Sequence, residues 1–358
     1  MAGRMLGELR SSVKIGIVVL CLGLSGAASA QQMTDEQREN FQLYQHDAKA
    51  GDAWSQSMLG DMYHFADGVP QNYELAAFWY QRAADQGNAS SQANLGYFYE
   101  NGFGVPQNDS YAFDLYLRSA EQGNATGQAN VGYMYDVGRG VAENDYEAVR
   151  WFQRAAEQGH ALGQSNLGLM YLDGTGVQQN FYTAFDWFVQ SAEQGHVDGM
   201  TNLGFMYDTG QGTPRNDAFA VEWYRRAAEE NYPLAQTNLG YMYDVGRGVA
   251  QSDSEAFRWY LMGAENGNAL GQSNVGLMFL NGRGTRQDDR EAFRWFEASA
   301  RQNHADGLTN LGFMYETGRG VGQSDRQAIH YYRLGADLGN DTANSNLRLM
   351  LNAGRGTK

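Results

Sequence analysis

Between residues 89 and 124 the apolar side chains fall into two helical stripes separated by glycine-containing turns. Leu95, Phe98 and Tyr99 stand at i, i+3 and i+4, one face of a helix, here called A. Gly102-Phe103-Gly104 ends it, because glycine tolerates the left-handed conformations of a tight turn. Asn108 then has the residue type of an N-cap, and a second helix, B, runs on to Gly123. In other copies helix B carries an aromatic pair, such as Trp151-Phe152 or Trp259-Tyr260, and a later pair of small residues.

This unit recurs every 36 residues. The glycine of the Leu-Gly or Val-Gly pair falls at Gly60, Gly96, Gly132, Gly168, Gly204, Gly240, Gly276 and Gly312. The cap falls at Asn72, Asn108, Asn144, Asn180, Asn216, Ser252, Asp288 and Ser324, and Ser252 with Glu255 has capping-box spacing. Helix B stops at Gly87, Gly123, Gly159, Gly195, Asn231, Gly267, Asn303 and Gly339, residue types that suit a left-handed C-cap. A glycine inside helix A costs roughly 1 kcal/mol against alanine, so its recurrence predicts a neighbour too close to admit a side chain. Residues 130–142 and 238–250 differ at one position, and the matches around them make 127–234 and 235–342 a duplicated three-repeat block. That shared string is therefore a repeat edge and carries no chemistry of its own.

The segment NLGYMYDVGRGVAQSDSEAFRWYLMGAENGNA (238–269) resembles the Sel1-like repeat, a relative of the tetratricopeptide repeat. The resemblance covers about residues 35–356 and implies an all-α fold. It implies a right-handed superhelical solenoid of eight 36-residue helix-turn-helix repeats over 53–340, in one domain spanning 31–358. A lone B-type helix within 35–52, capped at Asp35, and a lone A-type helix with a tail in 341–358 complete it. In the latter, Arg348 replaces the repeat glycine and Leu351 the tyrosine. Such repeats serve as interaction scaffolds.

Composition narrows the functional classes. Arg4, Arg10 and Lys14, the apolar run Ile15 to Leu24 and Ala28-Ser29-Ala30 read as a signal peptide cleaved after Ala30. The run is too short to span a bilayer, so a periplasmic or secreted chain without membrane insertion is expected. Net charge is −15 and becomes more negative without the leader, which argues against a nucleic-acid partner. Cys21, the one cysteine, leaves with the leader, so packing alone must hold the chain.

Function is then sought on the surface. Asn94, Asn130, Asn166, Asn202, Asn238, Asn274 and Asn310 form one column of helix A. An amide ladder can bind the backbone of an extended peptide, or each amide can bond a neighbouring helix and order the stack. Tyr97, Tyr133, Leu169, Phe205, Tyr241, Leu277 and Phe313 form the next column, and Ala93, Ala129, Ser165, Thr201, Thr237, Ser273 and Thr309 a third. Aromatic rings beside small hydroxyls suit a binding groove, with burial between A helices as the other reading. The resemblance implies that this face is concave and takes a protein or peptide partner. Met134, Met170, Met206, Met242, Met278 and Met314 are assigned to the core.

Arg139, Arg247, Arg283 and Arg319, central in Gly-Arg-Gly turns, form a rim of exposed loop ion pairs or an anion-binding row. His160, His196 and His304 share one column but lie a repeat apart, too far for joint ligation of a metal, and are assigned to turn capping. No nucleophile, nucleotide or zinc signature is present, so no enzyme activity and no cofactor are expected. The reading is an exported scaffold binding a protein segment in its groove. An inhibitor or immunity protein occluding a toxin, or a cell-wall-associated glycan binder or enzyme, are the alternatives. The oligomeric state is open.

Overall fold

The computed structural model describes residues 34–356, so the predicted leader lies outside it. The described residues form eighteen α-helices and no strand. α1 (Asp35–Ala50) is the lone B-type helix. Eight A/B pairs follow. In chain order they are α2 (Ala53–Phe65) with α3 (Tyr73–Asp85), α4 (Ala89–Asn101) with α5 (Asp109–Glu121), and α6 (Ala125–Val137) with α7 (Asp145–Glu157). Next come α8 (Ala161–Asp173) with α9 (Phe181–Glu193), α10 (Val197–Thr209) with α11 (Asp217–Glu229), and α12 (Pro233–Val245) with α13 (Asp253–Glu265). The last pairs are α14 (Ala269–Asn281) with α15 (Asp289–Arg301) and α16 (Ala305–Thr317) with α17 (Asp325–Asp337). α18 (Asp341–Asn352) is the lone A-type helix. The all-α repeat solenoid with a single helix at each terminus is thus the observed fold.

The predicted caps are in place. Asn72, Asn108, Asn144 and Asn216 each accept the backbone N–H three residues on, as does Ser252 from Glu255. The reciprocal capping box lies instead at α1, where the cap is Thr34, one residue before the predicted Asp35. Gln37 donates its N–H to the Thr34 hydroxyl at 3.1 Å, and its side-chain oxygen accepts the Thr34 N–H at 3.0 Å. The hydroxyl needs the free extended backbone of Thr34, which Asp35, already helical, has given up. Asn231 and Asn303, standing where other repeats have glycine, adopt φ of 60° and 55°.

The chain divides into two compact units, one up to Gln194 and one from Gly195. Within each unit every helix packs on the next in sequence, and successive A helices also touch one another. The A helices are therefore the more enclosed layer. The helix glycines explain the A–B contact: a Cβ on Gly96 would lie 2.8 Å from the Tyr116 ring, and one on Gly132 2.6 Å from the Phe152 ring. The second glycine of the Gly-x-Gly turn at Gly104, Gly140, Gly176, Gly248, Gly284 and Gly320 fits against the neighbouring repeat, as Gly140 does against the Asp109 backbone at the start of α5. Met134, Met170, Met206, Met242, Met278 and Met314 are all buried, as expected of the core.

Candidate functional site

The A-helix face is not uniformly open. Asn130, Asn166, Asn202 and Asn238 are buried, as are Tyr133, Leu169 and Phe205 beside them. The third column, Ala93 through Thr309, is buried throughout, and Thr201, Thr237 and Thr309 donate to carbonyls of their own helices. The small hydroxyls therefore belong to the interior. Asn94, Tyr97, Tyr241, Asn274, Asn310 and Phe313 are half-buried, and Leu277 is 37% exposed. The asparagines divide by partner as well. Asn94 donates to Asp61 and Asn310 to Ser273 Oγ, both at 3.2 Å and both across a repeat boundary. The buried amide oxygens of Asn130 and Asn238 accept from no protein group.

The rim arginines are set deeper than loop ion pairs. Arg139 donates to the Glu100 carboxylate at 2.8 Å and carbonyl at 2.7 Å, and reaches Asp109 at 3.0 Å. Both acids lie in the preceding repeat, at the end of α4 and the start of α5. Tyr116 donates its hydroxyl to the other Glu100 oxygen at 2.7 Å. The pattern repeats: Arg247 joins Asp208 to Asp217, Arg283 joins Asp244 to Asp253, and Arg355 joins Glu316 to Asp325. Arg319 spans the Leu280 carbonyl and Asp289, Leu280 taking the acid's place. Each guanidinium's planar fork matches two acceptors set on different helices, and so ties repeat to repeat. These side chains stay partly open to solvent, but each is already bound to acceptors of the preceding repeat, and the Arg247 Nε–H, buried, has no acceptor.

Electrostatics follow from this placement. Burial raises the Glu100 and Asp208 carboxyls, opposed in each case by the arginine, and for Glu100 first by the Tyr116 hydroxyl. The more open Asp217 is held down at about 2, chiefly by its bond to Arg215. Asp289 and Asp325 are lowered by bonds to Arg319 and Arg355.

Phe103, Thr175 and Gln211 stand in the arginine column without its charge, and the first of these junctions uses aromatic chemistry instead. Between the first two repeats, Phe103 stands in the arginine column, His64 in the Glu100 column and Tyr73 in the Asp109 column. Phe103 stacks on Tyr73 at 4.9 Å, and His64 packs edge-on to Phe98 at 4.8 Å. All three charged partners are replaced together. Burial pushes the His64 imidazole down to about 4, so it is neutral at ordinary pH.

A second network escaped the sequence reading. Gln92, buried in α4, donates to the Ala84 carbonyl at the end of α3 and accepts from Gln122 at the end of α5. Gln128, Gln164, Gln236 and Gln272 repeat the first bond, and each accepts from a Gln or Asn thirty residues on. The glutamine column at 36-residue spacing was the available signal.

His160 and His304 accept N–H groups of Gly163 and Gly307 at their helix starts, the capping role expected. His196 makes no such cap bond and lies 3.9 Å from Asp198. Among the described residues no three His, Cys, Asp or Glu side chains gather as a metal-ligand set, and no helix is long and apolar enough to cross a membrane.

Comparison with known proteins agrees with this architecture. No curated protein matches the chain. A crystal structure of a protective antigen present in uropathogenic Escherichia coli strains, displaying an SLR fold, is 35% identical with a TM-score of 0.64. The match covers 87% of this chain and 67% of that one. A Sel1 repeat protein from Oxalobacter formigenes is 27% identical, with a TM-score of 0.58 and coverage of 90% and 95%. The Sel1 repeat profile matches eight consecutive segments, from 55–88 through 305–340, at the phases of the eight helix pairs described above. The chain belongs to the Sel1 repeat family, whose members are generally protein-interaction scaffolds.

Proposed function

We propose that this protein is an exported, non-enzymatic scaffold that holds a segment of a partner protein against the open stretch of its A-helix face on α14 and α16. One observation carries the reading: columns that are buried in α6, α8 and α10 open again there. Leu277 is 37% exposed, and Phe313, Asn274 and Asn310 are half-exposed. Apolar groups held in solvent beside amides with donor and acceptor capacity form a surface suited to a peptide segment, side chains on the former and backbone on the latter. The buried amides of Asn130, Asn166, Asn202 and Asn238 play no direct part in this reading. Nor do the arginines, each already committed to acids of the preceding repeat. Export rests on the leader-like residues 1–30, and the E. coli relative's description as a protective antigen supports a place outside the cytoplasm.

The test is crosslinking capture from envelope extract and culture medium, with the wild-type chain and an L277S/F313S variant as parallel baits. Leu277 is solvent-exposed, whereas Phe313 also packs against the core around Met314 and Tyr332, so circular dichroism checks that the variant folds and an L277S single variant serves as the fallback bait. A partner held by the wild type should lose at least about tenfold in capture by the variant, the cost of truncating apolar anchors. Equal capture by both baits would sink the α14–α16 surface.

A further inference from the structure

The A-helix face of the first repeat is apolar at positions where the next repeats are largely polar. Trp54, Met58 and Phe65 stand at i, i+4 and i+11 of α2, within about 40° of one another around the helix axis. Trp54 and Phe65 are each more than half exposed, and Met58 is half-buried. Trp54 lies edge-on to Tyr44 at 5.2 Å and Phe65 stacks on His64 at 4.1 Å, so both rings are positioned before any contact forms. Asp61, the acid on this face, already accepts from the Tyr80 hydroxyl at 2.7 Å and the Asn94 amide at 3.2 Å. In the next two repeats the Trp54 column holds Ser90 and Thr126, and the Phe65 column Asn101 and Val137. Large apolar groups gathered in solvent at one end of the chain mark a contact surface.

The position of the chain start selects the occupant. Gln37, in the first turn of α1, donates its side-chain amide to Asp67 at 2.7 Å, just past the end of α2. Residues 1–33 therefore join the described chain beside Phe65. They include the apolar run 15–24, whose ten residues would reach about 15 Å as a helix, against about 16 Å from Trp54 to Phe65. Residues 25–33 give up to about 30 Å of extended tether, enough for the run to fold back along α2. A short tether holds the run at about millimolar effective concentration, so a weak contact suffices. Charge agrees. Residues 34–67 contain seven acidic side chains and two basic ones, whereas residues 1–30 contain Arg4, Arg10 and Lys14 against Glu8 alone.

We propose that, while residues 1–30 stay attached, the apolar run 15–24 folds back onto Trp54, Met58 and Phe65, and that removal of the leader uncovers this face. Apolar contact supplies the affinity, and the leader's bases, set against the acids of α1 and α2, orient it. The leader is thus a mask, and the α2 face becomes available to a partner only in the processed chain. The inference rests on reading residues 1–30 as a leader and is independent of the α14–α16 surface.

Cys21, the one cysteine, lies inside the run and provides the handle for the test. The full chain, made by cell-free synthesis without membranes so that the leader stays on, is labelled at Cys21 with benzophenone maleimide, irradiated and mapped by mass spectrometry. Crosslinks within one chain should concentrate on residues 54–65, at a yield indifferent to protein concentration. W54S/F65S should lower that yield at least about tenfold, with circular dichroism checking its fold. R4E/R10E/K14E leaves the described helices unaltered, and should lower the yield at about 50 mM salt by more than at about 500 mM. Trp54 is the exposed one of the seven tryptophans, the others being buried or half-buried. Acrylamide should therefore quench the chain beginning at residue 31 more than the full chain, and the difference should vanish in W54S. Crosslinks scattered over the molecule, or formed only between copies, overturn the proposal. So does a yield indifferent to W54S/F65S, or equal quenching of the two chains.

Discussion

Glycine in a helix interior normally costs about 1 kcal/mol relative to alanine, and here eight helices bear that cost. Gly240 shows why: a Cβ at that position would lie 2.6 Å from the Tyr260 ring, which is buried and cannot retreat. Overpacking of this kind costs about 1–3 kcal/mol and exceeds the gain in helix propensity. Gly240→Ala should therefore destabilise the protein by roughly 1–3 kcal/mol. Gly322→Ala, in a loop with no atom within 4 Å of the added Cβ and no positive φ, should be neutral or stabilising by up to about 1 kcal/mol. Urea unfolding of the two variants checks the pair. A neutral Gly240→Ala would mean that the A and B helices are not held as closely as described.

Between elements, the repeat junctions show two solutions to one problem. Arg139, Glu100 and Asp109 join α4 and α5 to the following turn by charge; Phe103, His64 and Tyr73 join α2 and α3 to theirs by aromatic stacking. The three positions act as a set. Phe103→Arg alone would place a guanidinium against two aromatic rings with no carboxylate, and should destabilise by about 1–3 kcal/mol. Adding His64→Glu and Tyr73→Asp rebuilds the charged set and should recover at least half of that loss. Thermal denaturation of the single and triple variants measures the coupling. If the triple is no better than the sum of its parts, the columns are independent and the substitution of all three is incidental. Aromatic packing is not screened by salt, so hydrogen exchange in α2 and α3 should change less with ionic strength than in α4 and α5.

Over the whole molecule, the carboxylates predict the acid limb of stability. Asp217, held at about 2, and Asp289 and Asp325, also lowered, favour the ionised form in the fold. Their contribution is complete above the ordinary carboxylate pKa of about 4 and is lost as pH falls toward 2. Buried Asp61, Glu100 and Asp208 are raised, so protonating them on acidification offsets part of the loss. The Tyr80, Tyr116, Tyr224, Tyr260 and Tyr332 hydroxyls are raised as well, so stability falls again as pH climbs beyond about 10. Melting temperature against pH should show a plateau with both limbs. The triple variant D217N/D289N/D325N should flatten the acid limb between about pH 4 and pH 2. An unchanged acid limb would show that these aspartates are not differentially ionised between folded and unfolded chains.

The sequence alone determined the helices and turns, the repeat phase, the two terminal helices and most of the caps, though not Thr34 at α1 or the missing cap bond of His196. All of these follow from local spacing, and eight copies in one chain report each position repeatedly. Even the helix glycine announced a close neighbour, because a costly residue retained in eight copies needs a reason. Exposure was decided only in three dimensions. Asn130 and Asn310 are the same residue in the same column, yet one is buried and the other half-open. Phe205 and Phe313 differ in the same way. Burial is set by neighbours a full repeat away, and those neighbours vary while the column does not. The arginine turns make the same point, since each looked local beside its own acids and found its partners thirty and thirty-nine residues back. Spacing within a repeat can be read from the chain; contacts between repeats depend on how helices stack, and only the folded structure brings those groups together.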